Sequence, residues 1–134
     1  MNFSLINWPA VFVAAISGFA LGGLWYSPIL FAKAWMADSK LSQDEIKQGN
    51  KGKIFGFTGI FLLIMAANLA AFLASPATTA AWGAQAGCLA GIWTFCAIAI
   101  VGLFEQKTWR HILINGFYSL LSLTLMGWIL GLWR

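Results

Sequence analysis

Residues 54–104 decide the fold: IFGFTGIFLLIMAANLAAFLASPATTAAWGAQAGCLAGIWTFCAIAIVGLF, a stretch without Asp, Glu, Lys or Arg. A helix that crosses about 30 Å of hydrocarbon needs about 20 apolar residues, so this stretch is too long for one span. The turn-forming cluster Ser75-Pro76-Ala77-Thr78-Thr79 divides it near its centre. The stretch therefore predicts two membrane-spanning helices, at about 54–74 and 81–103.

Two further charge-free stretches flank this one, at residues 1–32 and 112–133. They predict spans at about 8–24 and 112–133, which gives four spans in all. None of the stretches shows the recurring alternation over about ten residues that is typical of a transmembrane β-barrel. We therefore expect a single all-α domain over residues 1–134, a transmembrane bundle of four helices.

The composition of the 134-residue chain agrees with a membrane protein, since 60% of the residues are hydrophobic and 9% are charged. Soluble domains are about one quarter charged, so an ordinary soluble enzyme, a disordered tail and a secreted disulfide scaffold are excluded. The formal net charge of +4 does not predict a nucleic-acid partner. The basic residues lie in short clusters between apolar stretches and form no basic face.

Most of the basic residues lie in two loops, residues 33–53 and 105–111, which a four-span chain places on one side of the membrane. By the positive-inside rule that side is the cytoplasm, and both termini, including Arg134, lie outside. His111 is interpreted as a contact to lipid headgroups. Five of the cations are predicted to form a rim at the same headgroups: Lys33, Lys51, Lys53, Lys107 and Arg110.

The loop at residues 33–53 predicts a short cytoplasmic or interfacial helix between the first two spans. Ser42 and Glu45 have the spacing of a capping box, which predicts a helix from about Gln43 to Gln48. Residues 29–36 are predicted to lie in the plane of the interface as an amphipathic stretch.

The two halves of the chain share three residues at a constant offset in the sequence: Trp8, Lys33 and Trp35 match Trp82, Lys107 and Trp109. Two tandem hairpins in parallel orientation would explain this pattern, and so would a chance match in a chain rich in Trp. The pattern leaves both interpretations open.

Small residues spaced by four form three ridges along the predicted helices. Because apolar burial does not drive helices together in lipid, such ridges and interhelical hydrogen bonds hold a membrane bundle together. We predict that they mediate helix packing and that some face a second copy in a homodimer or another homo-oligomer. The residues are Ala14, Gly18, Gly22, Gly83, Gly87, Gly91, Gly127 and Gly131.

A few polar side chains lie inside the predicted spans. Asn115, Ser119 and Ser122 form one stripe on the fourth helix, and Trp93 lies near the middle of the third. Interhelical hydrogen bonding is the structural interpretation of the stripe. A polar cavity for a solute, formed by these four residues, is the functional one.

The chemistry expected of enzymes and coupled transporters is missing from the sequence. No Asp, Glu, Lys, Arg or His lies deep in a predicted span, which argues against proton-coupled or ion-coupled transport. His111 is the only histidine, so no His pair predicts a metal site and no nucleophile has a nearby imidazole base. We therefore predict no catalytic site, no cofactor and no metal.

The end of the first span, residues 21–36, reads LGGLWYSPILFAKAWM. It resembles the signature LGxLWYSPxLFGKxWM of a family of small bacterial integral membrane proteins with four spans and unknown function. The sequence departs from that signature at Ala32, where the family has Gly. The resemblance implies a bacterial inner-membrane setting and supplies no activity.

The core of this motif is Trp25-Tyr26-Ser27-Pro28. Pro28 disfavours helical geometry at Ser27, so the motif is interpreted as a structural corner or as one wall of a site.

Two functions of different classes are consistent with these features. The first is a non-catalytic helical bundle that associates with itself, with lipid or with another membrane protein. The alternative is a small oligomeric transporter or channel for an uncharged or amphiphilic solute. A cavity that reaches Trp93 and is lined by the Asn115 stripe would favour transport, whereas a filled interior would favour association.

Overall fold

The computed structural model describes residues 2–133, and within that range it contains helices and turns but no strand. The all-α fold class and the four long helices predicted from the charge-free stretches are confirmed. Arg134, which the sequence places outside the cytoplasm, lies beyond the described residues. The helices, in chain order, are α1 Trp8–Trp25, α2 Ala32–Ser39, α3 Gln43–Gln48, α4 Lys51–Phe72, α5 Ala80–Phe104 and α6 Trp109–Leu132.

Helices α1, α4, α5 and α6 contain 18, 22, 25 and 24 residues. At about 1.5 Å per residue, even the shortest is about 27 Å long, close to the thickness of the hydrocarbon core. All four are long and apolar enough to cross a membrane. The points at which they enter and leave the hydrocarbon stay a prediction.

Each long helix begins at a side chain that accepts a hydrogen bond from a backbone N–H of the first turn. Such a cap satisfies a donor that has no partner inside the helix, and this matters more where water is scarce. The four capping residues are Asn7, Asn50, Thr79 and Thr108.

The segment between α1 and α4 contains two short helices instead of one. Ser42 caps α3 by accepting from the backbone N–H of Glu45, so the helix predicted over Gln43–Gln48 is confirmed. Helix α2, Ala32–Ser39, begins within the stretch that was expected to lie in the interface plane. It packs against the first part of α6.

Helix α6 is the centre of the bundle. It contacts α1 and α4 on one side, where Val11, Ala14, Ala66 and Met126 are fully buried. On its other side it packs along α5, which makes its main contacts with α6 alone. Helices α1 and α5 end, and α4 and α6 begin, at the same end of the bundle. We call it the motif end because it carries residues 25–28.

Glycines allow α5 and α6 to approach until their backbones touch. A methyl group added at Gly83 would collide with the carbonyl oxygen of Gly127, and one at Gly87 with that of Leu123. A methyl group at Gly91 would lie 2.7 Å from the Cα of Leu120. Any larger residue at these positions would therefore separate the two helices.

The ridge of small residues on α1 likewise allows close packing against α6. Ala14 is buried in the core, and Gly18 lies beside Ser122 and Met126. Gly22 lies against the ring of Tyr118.

Together with Gly131, which approaches the backbone at the start of α5, all three ridges pack within one chain. A second copy would therefore have to dock on another surface.

Candidate functional site

Four polar side chains form a hydrogen-bonded chain at the motif end, which we call the motif-end network: Tyr26, Asn115, His111 and Ser39. The hydroxyl of Tyr26 donates to Oδ1 of Asn115 at 2.7 Å. The amide nitrogen of Asn115 lies 3.1 Å from Nε2 of His111, and Nδ1 of that ring lies 3.5 Å from Oγ of Ser39. The network thus joins the end of α1, the end of α2 and the first two turns of α6.

Trp25 and Tyr26 attach the end of α1 to α6. The indole N–H of Trp25 donates to the carbonyl oxygen of Ile114 at 2.8 Å. The ring of Tyr26 makes edge contacts with Tyr118 and with Trp35 of α2, at centroid distances of 5.5 and 5.8 Å. Burial, and secondarily the neighbouring Tyr118, raises the pKa of the Tyr26 phenol, so it keeps its proton and remains a hydrogen-bond donor at neutral pH.

Ser27 and Pro28 form the turn that follows these two aromatic residues. The hydroxyl of Ser27 donates to the carbonyl oxygen of Leu24 at 2.6 Å, and the carbonyl oxygen of Ser27 accepts from the backbone N–H of Ala32 at 3.1 Å. The turn redirects the chain from α1 into α2. The family motif therefore combines two anchoring side chains with a corner.

An ion pair fastens α2 to the start of α6. Nε and Nη2 of Arg110 donate to the two carboxylate oxygens of Asp38 at 2.7 and 2.8 Å. The Asp38 side chain is only 9% exposed. These hydrogen bonds from Arg110, which outweigh the effect of desolvation, hold the pKa of the Asp38 carboxyl below its usual value.

The five cations predicted to form the headgroup rim have different surroundings. Arg110 is engaged by Asp38, whereas Lys33, Lys51 and Lys53 are exposed and Lys107 is half-buried. A rim of free cations would thus consist of the lysines. Their contact with headgroups stays a prediction.

His111 is enclosed by the protein and both of its ring nitrogens face protein groups, whereas the sequence suggested a contact to lipid headgroups. The residue is 9% exposed, because α2 folds over the start of α6 and places Ser39 against the ring. His111 is instead an internal member of the motif-end network.

The four residues suggested as a polar cavity do not meet. Trp93 is 81% exposed on the side of α5 that faces away from the bundle. Ser119 donates to the hydroxyl oxygen of Thr94 at 2.8 Å, and Ser122 is buried beside Gly18. The structure joins Asn115 to the family motif and leaves Trp93 outside.

A cleft of about 310 Å³ opens beside α5 and α6 at the motif end. Its wall on α5 is apolar, from Ala97 to Val101. Its polar lining residues are Glu105, Lys107, His111 and Asn115. Within residues 2–133, no group of three or more His, Cys, Asp or Glu side chains is placed to hold a metal ion.

The helices and their packing define a small multi-pass membrane protein built as a helical bundle. Residues 9–131 match the model of a family described as "Protein of unknown function (DUF1761)", and the chain belongs to that family. The match confirms the family resemblance carried by the motif at residues 21–36. Comparisons with curated proteins and with solved structures found no match.

Proposed function

We propose that this protein is a non-catalytic membrane bundle that acts by associating with a second copy of itself. The surface for this is the α5 outer face, which we define as Leu89, Trp93, Cys96, Ile100 and Phe104. These residues repeat at helical spacing and all are exposed, because α5 packs chiefly against α6.

The observation that carries the proposal is the position of Trp93. Its side chain is 81% exposed near the middle of α5, where a spanning helix is farthest from both interfaces. Within residues 2–133 its indole N–H donates to no other group. Tryptophan normally lies at the interface, and a donor without an acceptor in hydrocarbon is costly. An acceptor on a neighbouring protein would remove that cost.

A second copy is the partner we favour because a symmetric dimer needs only one self-complementary patch. The glycine ridges already pack inside the chain and leave the α5 outer face as an available surface. Lipid or another membrane protein covering the same face is the other outcome that the experiment distinguishes.

Cys96 provides a native reporter, since it is exposed on the α5 outer face. In membranes containing a Cys88→Ala variant, a short bifunctional maleimide should link two chains through Cys96. Trp93→Phe, which replaces the indole with a smaller phenyl ring and so removes the N–H group, should lower the yield of linked dimer. Phe61→Cys, in a chain that also carries Cys88→Ala and Cys96→Ala, places the thiol on the exposed side of α4; this matched control should give little dimer. Equal yields from positions 61 and 96, or a monomeric mass in mild detergent, would contradict self-association through α5.

Transport of an uncharged or amphiphilic solute is the second candidate function. The cleft and the motif-end network favour it, because they place polar groups next to an apolar wall. Trp93 lies on the outside, so a pathway that includes it would have to run between copies. Glycerol efflux from liposomes containing the protein tests this function: efflux above that of empty liposomes, lost in Asn115→Leu and Trp93→Ala, would replace association as the proposed role.

The setting of this function is the inner membrane of a bacterium, with both termini outside the cytoplasm. The motif resemblance at residues 21–36 supports the first part, and the basic loops support the second. A reporter enzyme that works only in the periplasm should be active when it is fused to the C-terminus. Activity of a reporter that works only in the cytoplasm, fused at the same place, would show that the topology is the reverse.

A further inference from the structure

Glu105 and Lys107 carry opposite charges and line the same cleft, and neither forms an ion pair in the described part of the chain. Asp38 and Arg110, at the same end of the bundle, are by contrast fully engaged with each other. The cleft therefore presents one free anion and one free cation at its polar end. A ligand that carries both charges would complement it.

The helix ends at the cleft add to this charge pattern. Helix α5 ends at Phe104, so its last carbonyl groups give a partial negative charge near Glu105. Helix α6 begins at Trp109, so its first N–H groups give a partial positive charge near Lys107. A cation is favoured toward α5 and an anion toward α6.

The rest of the cleft indicates an amphiphile. Ala97, Ile98 and Val101 form an apolar wall along α5, directed from the polar end toward the middle of the helix. The volume of about 310 Å³ lies at the lower end of the range of ligand sites, about 300–1,000 Å³. It suits a headgroup and the first part of a hydrocarbon chain.

We infer that this cleft binds a membrane lipid with an aminoethyl phosphate headgroup, that is, a phosphatidylethanolamine. Its phosphate lies at Lys107 and the first turn of α6. Its primary ammonium donates to the carboxylate of Glu105. One acyl chain follows the apolar wall of α5 into the bilayer. This binding does not depend on self-association, since the cleft and the α5 outer face are different surfaces.

Lipid selectivity of the full chain, measured by native mass spectrometry, tests the inference. The purified protein is loaded with equal amounts of phosphatidylethanolamine, phosphatidylcholine and phosphatidylglycerol of the same acyl composition. Phosphatidylcholine has a quaternary ammonium that cannot donate a hydrogen bond, and phosphatidylglycerol has no cation. We expect phosphatidylethanolamine to be retained about tenfold more than either, which corresponds to a difference of about 1.4 kcal/mol.

Variants of Glu105 and Lys107 test the contribution of each charge to lipid binding separately. Glu105→Gln should abolish the preference for phosphatidylethanolamine over phosphatidylglycerol. Lys107→Gln should weaken retention of all three lipids, and Lys107→Arg should restore it. Lys53→Gln is the matched control, because Lys53 is an exposed lysine at the same end of the bundle that does not line the cleft. Far-UV circular dichroism of each variant confirms that the helices are intact.

Three results would overturn the inference. Equal retention of the three lipids by the unmodified protein would remove the headgroup selectivity. A loss in Lys53→Gln as large as that in Lys107→Gln would reduce the effect to general surface charge. Displacement of the lipid by an equal concentration of free phosphoethanolamine would show that the apolar wall contributes nothing and that the ligand is water-soluble.

Discussion

Replacing Gly87 with alanine tests whether backbone contact between α5 and α6 holds the bundle together. The new methyl group would collide with the carbonyl oxygen of Leu123, and it would lie 2.8 Å from the carbonyl carbon of the same residue and 3.1 Å from the Cα of Thr124. All three atoms belong to the backbone of α6, so no side chain can rotate away. The helices must move apart along the whole contact.

The size of the effect follows from two opposing contributions. Alanine is favoured over glycine inside a helix by about 1 kcal/mol. Overpacking of a close contact costs about 1–3 kcal/mol, and a collision with backbone belongs at the upper end. We therefore expect Gly87→Ala to lower the free energy of unfolding by about 2 kcal/mol.

Gly56→Ala is the matched control, because a methyl group at Gly56 in α4 would meet nothing within 4 Å. This variant should keep the helix-propensity gain of up to about 1 kcal/mol. The free energies come from reversible unfolding in mixed micelles of a mild detergent and dodecyl sulfate, followed by tryptophan fluorescence. If Gly87→Ala is as stable as Gly56→Ala, the close approach of α5 and α6 is not a source of stability.

The motif end gives two further predictions. Tyr26→Phe removes one hydrogen bond and should cost about 1 kcal/mol, whereas Asn115→Leu also removes the contact to His111 and should cost more. In the double variant a coupling of about 1 kcal/mol should appear. Strictly additive losses, measured by the same unfolding assay, would mean that the bond contributes nothing. Because Arg110 holds the pKa of Asp38 below its usual value of about 3.9, the ionised carboxylate stabilises the folded protein above that pH, and the stability is lost as pH falls through the lowered pKa. Asp38→Asn should therefore flatten the acid side of a plot of unfolding midpoint against pH, and an acid side as steep as that of the unmodified protein would refute the role of the ion pair.

The number of long helices could be predicted from the sequence because it depends on local composition, although α4 and α6 each begin three residues before the predicted span, at Lys51 and Trp109. The absence of charge over residues 54–104 and the turn cluster at residues 75–79 are enough to indicate two spans. The capping pattern at Ser42 and Glu45 is equally local, and α3 lies at the position that this pattern predicts. Such features need no knowledge of the neighbouring helices.

The partners of each helix face could not be predicted in the same way. The ridge Gly83-Gly87-Gly91 is evident in the sequence, but its spacing does not say whether α6 or a second chain covers it. Trp93 illustrates the same limit, since a mid-span tryptophan is compatible with an inward or an outward position until the neighbours of α5 are known. The structure settles both, with the ridge against α6 and Trp93 outside.

The motif-end network depends on contacts between residues far apart in the chain. Ser39 and His111 are 72 residues apart, and Tyr26 and Asn115 are 89 apart. A lone histidine beside an arginine is a common surface pattern, so local reasoning assigned it to the headgroups. The only sequence signal for its burial was the presence of complementary groups, Asp38 and Ser39, at the end of a short helix that follows a corner.

The two ends of the bundle are held together by different interactions, and this difference suggests what the family motif is for. Toward the end opposite the motif, α5 and α6 meet through glycines, where contact of the backbones excludes everything else. At the motif end, Trp25 and Tyr26 reach α6 through hydrogen bonds, and α2 covers the junction.

In lipid, where apolar burial gives helices no reason to associate, polar contacts at the motif end would hold α1 against α6 while leaving the cleft beside α5 open. The motif would then maintain a ligand site without lining it. We therefore expect Trp25→Phe to weaken lipid retention in the cleft, although Trp25 does not line the cleft. Unchanged retention would show that the motif does not maintain this site.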